Sequence, residues 1–256
     1  MRMPSCCRRF AGRKTDYCGS SNGKRKTNSR LSWNHWVNGM GYASDREHDP
    51  PPGMDAGVER TIVTIGLGVV RHWLLIVTMA LIVFVSLPLM APFLMASGRQ
   101  EMAQVIYNVY RVTCHQEPAR SFFVAGPRLT YTWSEIETMT DLRPTSAYLG
   151  SPQIGYKMAY CERDTATYLA MLLGGLVIGL LGRRAPRLPL RLYVLFVLPM
   201  AVDGLTQLSG LRESTWLLRV LTGGLFGLGT AWLLYPALDD IMRQMAKDLS
   251  TRLTQV

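Results

Sequence analysis

Apolar residues are concentrated in four long runs separated by polar stretches. His72–Ala96 carries no formal charge over 25 residues when His72 is neutral, which exceeds the roughly 20 residues a helix needs to cross a bilayer. Pro88 and Pro92 predict a kink in its second half, which neighbouring helices tolerate. Thr165–Leu181 is a second uncharged run of 17 residues, extendable into the helix before it. Leu192–Leu211 is a third, apolar except around Asp203 and Gln207. Trp216–Leu238 is a fourth, with Arg219 near its start. The pattern predicts an all-α polytopic membrane protein with four transmembrane helices. Buried helices of a soluble protein are the alternative, and four such runs in one chain oppose it.

The 68 residues 97–164, between the first two runs, are too long for a simple turn and are read as a helical outer segment. Met102, Val105, Ile106, Val109 and Tyr110 are at helical spacing and predict an amphipathic continuation of the first helix over Arg99–Cys114. Thr132 and Glu135 fit a capping box opening a short helix, Trp133–Met139. Ser151 followed by Pro152 fits an N-cap and first helical residue, predicting a helix from Pro152 through Cys161 into the second span. Gly175-x-x-x-Gly179 and Gly223-x-x-x-Gly227 predict close helix packing inside the bundle.

Residues 1–56 show no periodicity and are rich in Arg, Lys, Ser, Asn and Gly, so a disordered basic tail is expected. The abrupt change in composition also suggests Met54 as an alternative start, with 1–53 untranslated. Three regions result: the tail 1–56, a membrane domain 72–240 containing the outer segment 97–164, and a C-terminal tail 241–256.

Averages conceal this segregation. Mean hydropathy is only +0.09. The net charge of +10 would by itself suggest a nucleic-acid partner. Its distribution suggests otherwise. Residues 1–71 hold 12 basic and 6 acidic residues, and 97–164 hold 7 of each. The loop between the second and third runs contains Arg183, Arg184, Arg187 and Arg191 and no acid. The excess of positive charge on cytoplasmic loops then places both termini inside and 97–164 outside. The lipid bilayer is the expected partner, together with other membrane proteins, and no nucleic acid is expected. Trp73, Trp216 and Tyr235 are placed near helix ends as interfacial anchors.

Two groups of residues could carry chemistry. Cys114, His115, Cys161 and Asp164 combine thiolate, imidazole and carboxylate, a donor set suited to zinc or another transition metal. A Cys114–Cys161 disulfide is a second reading. Packed thiols are a third, with Asp164 paired to Arg163, Arg120 or Arg111. Inside the third run, Asp203, Thr206 and Gln207 share a polar stripe, with Arg212, Glu213 and Arg219 near the following turn. An intramembrane carboxylate needs a partner, most simply Arg219 in a helix-pairing ion pair; an ion relay or substrate contact is the functional alternative. No P-loop, H-E-x-x-H, G-x-S-x-G or dinucleotide-binding glycine motif is present, and four histidines are few for a haem or histidine-rich metal centre.

The block Cys114-His115-Gln116-x-Pro118-x-Arg120-Ser121-Phe122-Phe123 is followed by Gly155-Tyr156-Lys157-Met158-Ala159-Tyr160-Cys161-Glu162-Arg163-Asp164. With Pro199-Met200-x-x-Asp203-Gly204-x-Thr206-Gln207 and Gly210-x-Arg212-Glu213-Ser214, these resemble the DUF2085 family of prokaryotic membrane proteins. The resemblance spans about residues 72–240 and adds Gln116, Arg120 and Arg163 as an outer-face motif. It implies a multi-pass protein of the prokaryotic plasma membrane and names no reaction. Some members resemble Cys-x-Arg-Cys where Asp164 replaces the second cysteine here, which lowers the expectation of a thiolate-rich metal site and leaves Cys114 and Cys161 as the disulfide pair. The longer segment between the cysteine blocks implies an extra outer element. The functional expectation is a non-enzymatic accessory or assembly protein with a structural polar constellation. The alternative is a metal-linked membrane enzyme, redox helper or transporter.

Overall fold

The computed structural model describes residues 55–141, 145–182 and 185–255, all within one unit, Gly53–Val256. The expectations for the basic tail up to residue 54, for Met54 as a start and for Arg183 and Arg184 concern residues outside that description.

Helix α1, Ala56–Arg71, was not anticipated by the sequence reading. Its signal is nonetheless present: Val63, Leu67 and Val70 are at i, i+4 and i+7 and form its buried stripe. A Cβ built on Gly66 would stand 3.7 Å from Leu249 Cδ1, so α1 lies against the far C-terminal part of the chain. Helix α2, Trp73–Ala96, is the first apolar run. Gly98, with φ +80°, ends the helical course, and α3, Gln100–Tyr110, packs Ala103, Tyr107 and Tyr110 back against Ala91 and Met95. The expected continuation of the first helix is therefore a separate helix, because the glycine turn reverses the chain.

Pro88 and Pro92 explain how this cap is fastened to α2. A proline lacks the N–H that would satisfy the carbonyl four residues earlier. Those freed carbonyls belong to Phe84 and Pro88. Tyr110 Oη donates to Phe84 O at 2.8 Å and Tyr160 Oη at 3.5 Å, while Ala159 N donates to Pro88 O at 3.3 Å. The aromatic rings of Phe84, Tyr110, Tyr160 and Tyr168 surround the same point, with centroids 5.1–5.8 Å apart.

The rest of the cap is not wholly helical, in contrast to the expected outer segment. A 3-10 turn, Pro118–Arg120, leads into β1, Phe123–Val124. Helix α4, Trp133–Thr140, opens on the anticipated Thr132/Glu135 capping box. Strands β2, Gly150–Ser151, and β3, Gly155–Lys157, complete an antiparallel sheet of order β1-β3-β2, pairing Phe123 with Lys157 and Gly150 with Tyr156. The helix expected from Pro152 is instead the β2–β3 turn and β3. Ser-Pro suits the start of a turn as well as a helix. A Cβ at Gly155, where φ is +87°, would meet Val124 O at 2.5 Å, so the strands approach as closely as glycine permits. Phe123, Tyr131, Ile136 and Ile154 form a small core beneath the sheet.

Helix α5, Glu162–Leu181, starts only after Cys161, its N-cap. It is followed by α6, Leu190–Leu208, and α7, Trp216–Gln255. The expected C-terminal tail 241–256 is thus a continuation of α7 through Gln255. The four helices α2, α5, α6 and α7 are long and apolar enough to span a membrane, and little of their apolar surface is buried within the chain: 17%, 22%, 6% and 33% of their most hydrophobic windows. Leu75, Met79, Val83, Val194, Leu198 and Leu205 are among many large apolar side chains left exposed. Such a belt is untenable in water and natural in hydrocarbon. Glycines set the α5–α7 contact: added Cβ atoms at Gly223 and Gly227 would meet the carbonyl oxygens of Arg163 and Thr167 at 2.6 and 2.2 Å. Trp73 and Tyr235 are buried and stack on each other at 6.2 Å, so these two are packing residues rather than interfacial anchors; Trp216 is exposed.

Candidate functional site

The start of α5, the end of α6, the start of α7 and the 3-10 turn meet at one end of the bundle, beside the cap. Their polar side chains form a continuous network. Asp203, with a side chain only 2% exposed, accepts hydrogen bonds from Arg163 Nη2 at 2.5 Å, Arg212 Nη2 at 2.9 Å and Ser214 Oγ at 3.0 Å. Both carboxylate oxygens are therefore occupied. The expected Asp203–Arg219 pair is not formed. Arg219 Nη1 instead donates to Glu162 Oε2 at 2.9 Å, and Nη2 donates to the Ser214 carbonyl at 2.5 Å. Glu162 and Arg219 are 1% and 8% exposed. The residues of the α6–α7 region do not point to Glu162; the helix crossing brings it to Arg219 from α5.

The network extends outward. Arg212 Nε donates to Thr206 Oγ1 at 3.2 Å, and Arg120 Nε pairs with Glu117 at 2.9 Å. In the amide orientation that satisfies both groups, Gln207 accepts from Arg120 at 3.2 and 3.3 Å. Glu213 is exposed. Two of the arginines expected for Asp164, Arg163 and Arg120, thus have other carboxylates. A buried ion pair costs desolvation that Coulomb attraction repays only with good geometry and extra hydrogen bonds, and this network supplies both.

A second cluster lies under the cap. Cys114 Sγ, Cys161 Sγ and a carboxylate oxygen of Asp164 are all within 4.8 Å of one another. His115 is exposed and is not part of this group. Both cysteines are free. Cys161 N donates to Cys114 Sγ at 3.2 Å, and Asp164 N donates to Cys161 Sγ at 3.4 Å, in the first turn of α5. The neighbouring Cys161 thiol holds Cys114 below the ordinary thiol range. Cys161 is pushed up, by Cys114 first and by burial second.

The elements holding Cys114 are unusually polar for so enclosed a place. Gln116, two residues on, adopts a left-handed φ of +53° and is buried, with Nε2 donating to Tyr107 O at 2.8 Å. Lys157 of β3 is fully buried. Its Nζ donates to Gln116 O at 2.5 Å and Ser146 O at 2.7 Å, and its own carbonyl accepts from Tyr107 Oη. Burial pushes Lys157 down to about 7, with Arg111 adding repulsion and Cys114 opposing it. A lysine in a strand of a polar segment carries no sequence signal of burial, so this residue was not singled out as a site residue. A shallow, open cleft along α1, lined by Gly57, Arg60, Thr61, Thr64 and Ile65, includes no residue of either cluster.

The family model described as "Predicted membrane protein (DUF2085)" matches residues 153–233, from β3 through most of the membrane part of α7. An uncharacterized protein of Methanocaldococcus jannaschii is 28% identical over 184 residues, covering 69% of this chain and 99% of its own length. An uncharacterized protein of Methanothermobacter thermautotrophicus is 37% identical over 122 residues, covering 48% of this chain and 84% of its own. The chain belongs to the DUF2085 family. The region matched by the DUF2085 model contains Cys161, Asp164 and the Arg163–Asp203 and Glu162–Arg219 pairs, whereas Cys114 precedes it. No solved structure matches the chain.

Proposed function

We propose that this membrane protein is a non-enzymatic accessory or assembly component whose arginine–carboxylate network is structural. The carrying observation is charge compensation: Asp203 and Glu162 are buried, and each is held by arginine from another helix. A relay or substrate site would need an ionisable group left facing a path, whereas here the two acids are consumed in joining α5, α6 and α7. In this reading the arginine-rich loop 183–191 and both termini face the cytoplasm, the cap faces outward in a prokaryotic plasma membrane, and other membrane proteins are the partners. The test is Asp203→Asn and Glu162→Gln in the full chain. Both variants should lose folded yield and melt earlier in detergent. A variant that melts like the wild type yet reproduces the phenotype of a deletion strain would refute the structural reading.

A second reading, a metal-linked enzyme, redox helper or transporter, is favoured by the Cys114–Cys161–Asp164 cluster alone.

A further inference from the structure

Two sulfurs and a carboxylate oxygen converge at the N-terminus of α5, and the surrounding backbone is arranged around the sulfurs. Each sulfur accepts a backbone N–H: Cys114 Sγ from Cys161 at 3.2 Å and Cys161 Sγ from Asp164 at 3.4 Å. Gln116, two residues after Cys114, is held at φ +53°, a conformation that persists in a residue other than glycine only when its surroundings impose it. Amide donors aimed at cysteine sulfur are the outer-shell arrangement that orients and stabilises metal thiolates. The Asp164 N–H also caps α5 through Cys161, whereas the Cys161 N–H bond to Cys114 Sγ has no capping role.

We propose that Cys114, Cys161 and Asp164 bind one thiophilic divalent cation, zinc(II) in the first instance, leaving one coordination position open. The inference deepens the second reading above by naming its ligand and donors. In a tetrahedral site with two Zn–S bonds of about 2.3 Å the sulfurs stand about 3.8 Å apart. The three donor atoms already lie within 4.8 Å of one another. Two thiolates and a carboxylate against a divalent cation leave one surplus negative charge. The positive end of α5, in whose first turn Asp164 stands, offsets part of it. Three protein donors and a free position distinguish the site from a closed structural centre, which uses four. His115, although adjacent to Cys114, is exposed and contributes nothing.

The experiment uses the full chain purified in detergent without chelator, then loaded with zinc(II) or cobalt(II) alone. Elemental analysis should find about one metal per chain, and the cobalt form should show thiolate-to-cobalt charge-transfer absorption. Cys114→Ser and Cys161→Ser should each lower bound metal at least about tenfold, while His115→Ala should retain it. Asp164→Cys keeps three donors, so it should hold the metal and raise the charge-transfer intensity by about half, a gain that misfolding cannot mimic. Metal-free protein lighter by the hydrogens of a disulfide would overturn the proposal, as would metal-free protein with both thiols titratable. Loss of metal in His115→Ala would overturn the three-donor assignment. Metal bound as stated, with Cys161→Ser cells growing like wild type, would uphold the site while refuting the enzyme or transporter reading on which it rests.

Discussion

Replacing Gly227 by alanine is the sharpest probe of how the membrane helices are held. The added methyl carbon would lie 2.2 Å from the Thr167 carbonyl oxygen, 2.9 Å from its carbon and 3.0 Å from its Cα. The obstacle is helix backbone, so no rotamer change relieves it. An ordinary contact begins about 1 Å farther out, and opening a packed interface by that amount forfeits about a quarter to a half of its dispersion attraction. The contact includes the Thr167 Oγ–Gly223 O hydrogen bond of 3.1 Å, which the same displacement stretches. Overpacking of this kind costs typically 1–3 kcal/mol, and a backbone obstacle places Gly227→Ala near the upper end, about 3 kcal/mol. Gly224 is the internal control. It lies on the same helix with nothing within 4 Å of an added Cβ, so Gly224→Ala should be neutral or stabilise by up to about 1 kcal/mol through helix propensity. Reversible unfolding of both variants in mixed micelles, scored against wild type, measures the difference. Equal stability of the two variants would refute the claim that α5 and α7 meet through glycine.

Asp203→Asn should destabilise the chain by about 3 kcal/mol, since the 2% exposed carboxylate holds two arginines, one of them 43% exposed and able to return to solvent; Glu213→Gln, at an exposed position, should change the midpoint little in the same micelle assay. Tyr110→Phe should cost about 1–2 kcal/mol, because it removes the 2.8 Å hydrogen bond to a Phe84 carbonyl that Pro88 has deprived of its helical donor, and should speed amide exchange at the cap. Lys157 gives a pH dependence. Its folded value of about 7 lies below the ordinary 10.5, so the unfolded chain binds a proton that the fold releases across that window. Stability should therefore rise with pH from about 7 toward 10, the burial penalty being fully present only at lower pH, and Lys157→Met should flatten the slope of melting temperature against pH.

The membrane spans were legible because the bilayer acts as a nearly uniform solvent: composition over about 20 residues decides whether a helix can cross it, whatever its neighbours are. The four spans, the Thr132/Glu135 cap and the glycine contacts of α5 and α7 follow from such local rules. The sheet in the cap did not. Ser151-Pro152 satisfies both a helix start and a turn, and only the pairing of β3 with β1 and β2 selects the turn. Helix α1 was overlooked although its stripe of Val63, Leu67 and Val70 stands at helical spacing in the sequence; only what that stripe packs against is left to the fold.

Residue types alone selected Cys114, Cys161, Asp164, Asp203 and Arg219 as the positions where a membrane protein would place chemistry or buried charge. Their partners were decided by the fold. Asp203 is joined to Arg163 and Arg212, and Arg219 to Glu162, because the helix crossing sets which ends come within a few ångströms, a distance unrelated to separation along the chain. The same holds for the cluster under the cap. Adjacency in sequence favoured His115, but that residue is exposed, and the fold brings Cys161 and Asp164 to Cys114 from 47 and 50 residues away. Solvent preference is a property each residue carries with it; a donor set exists only where the backbone closes around it.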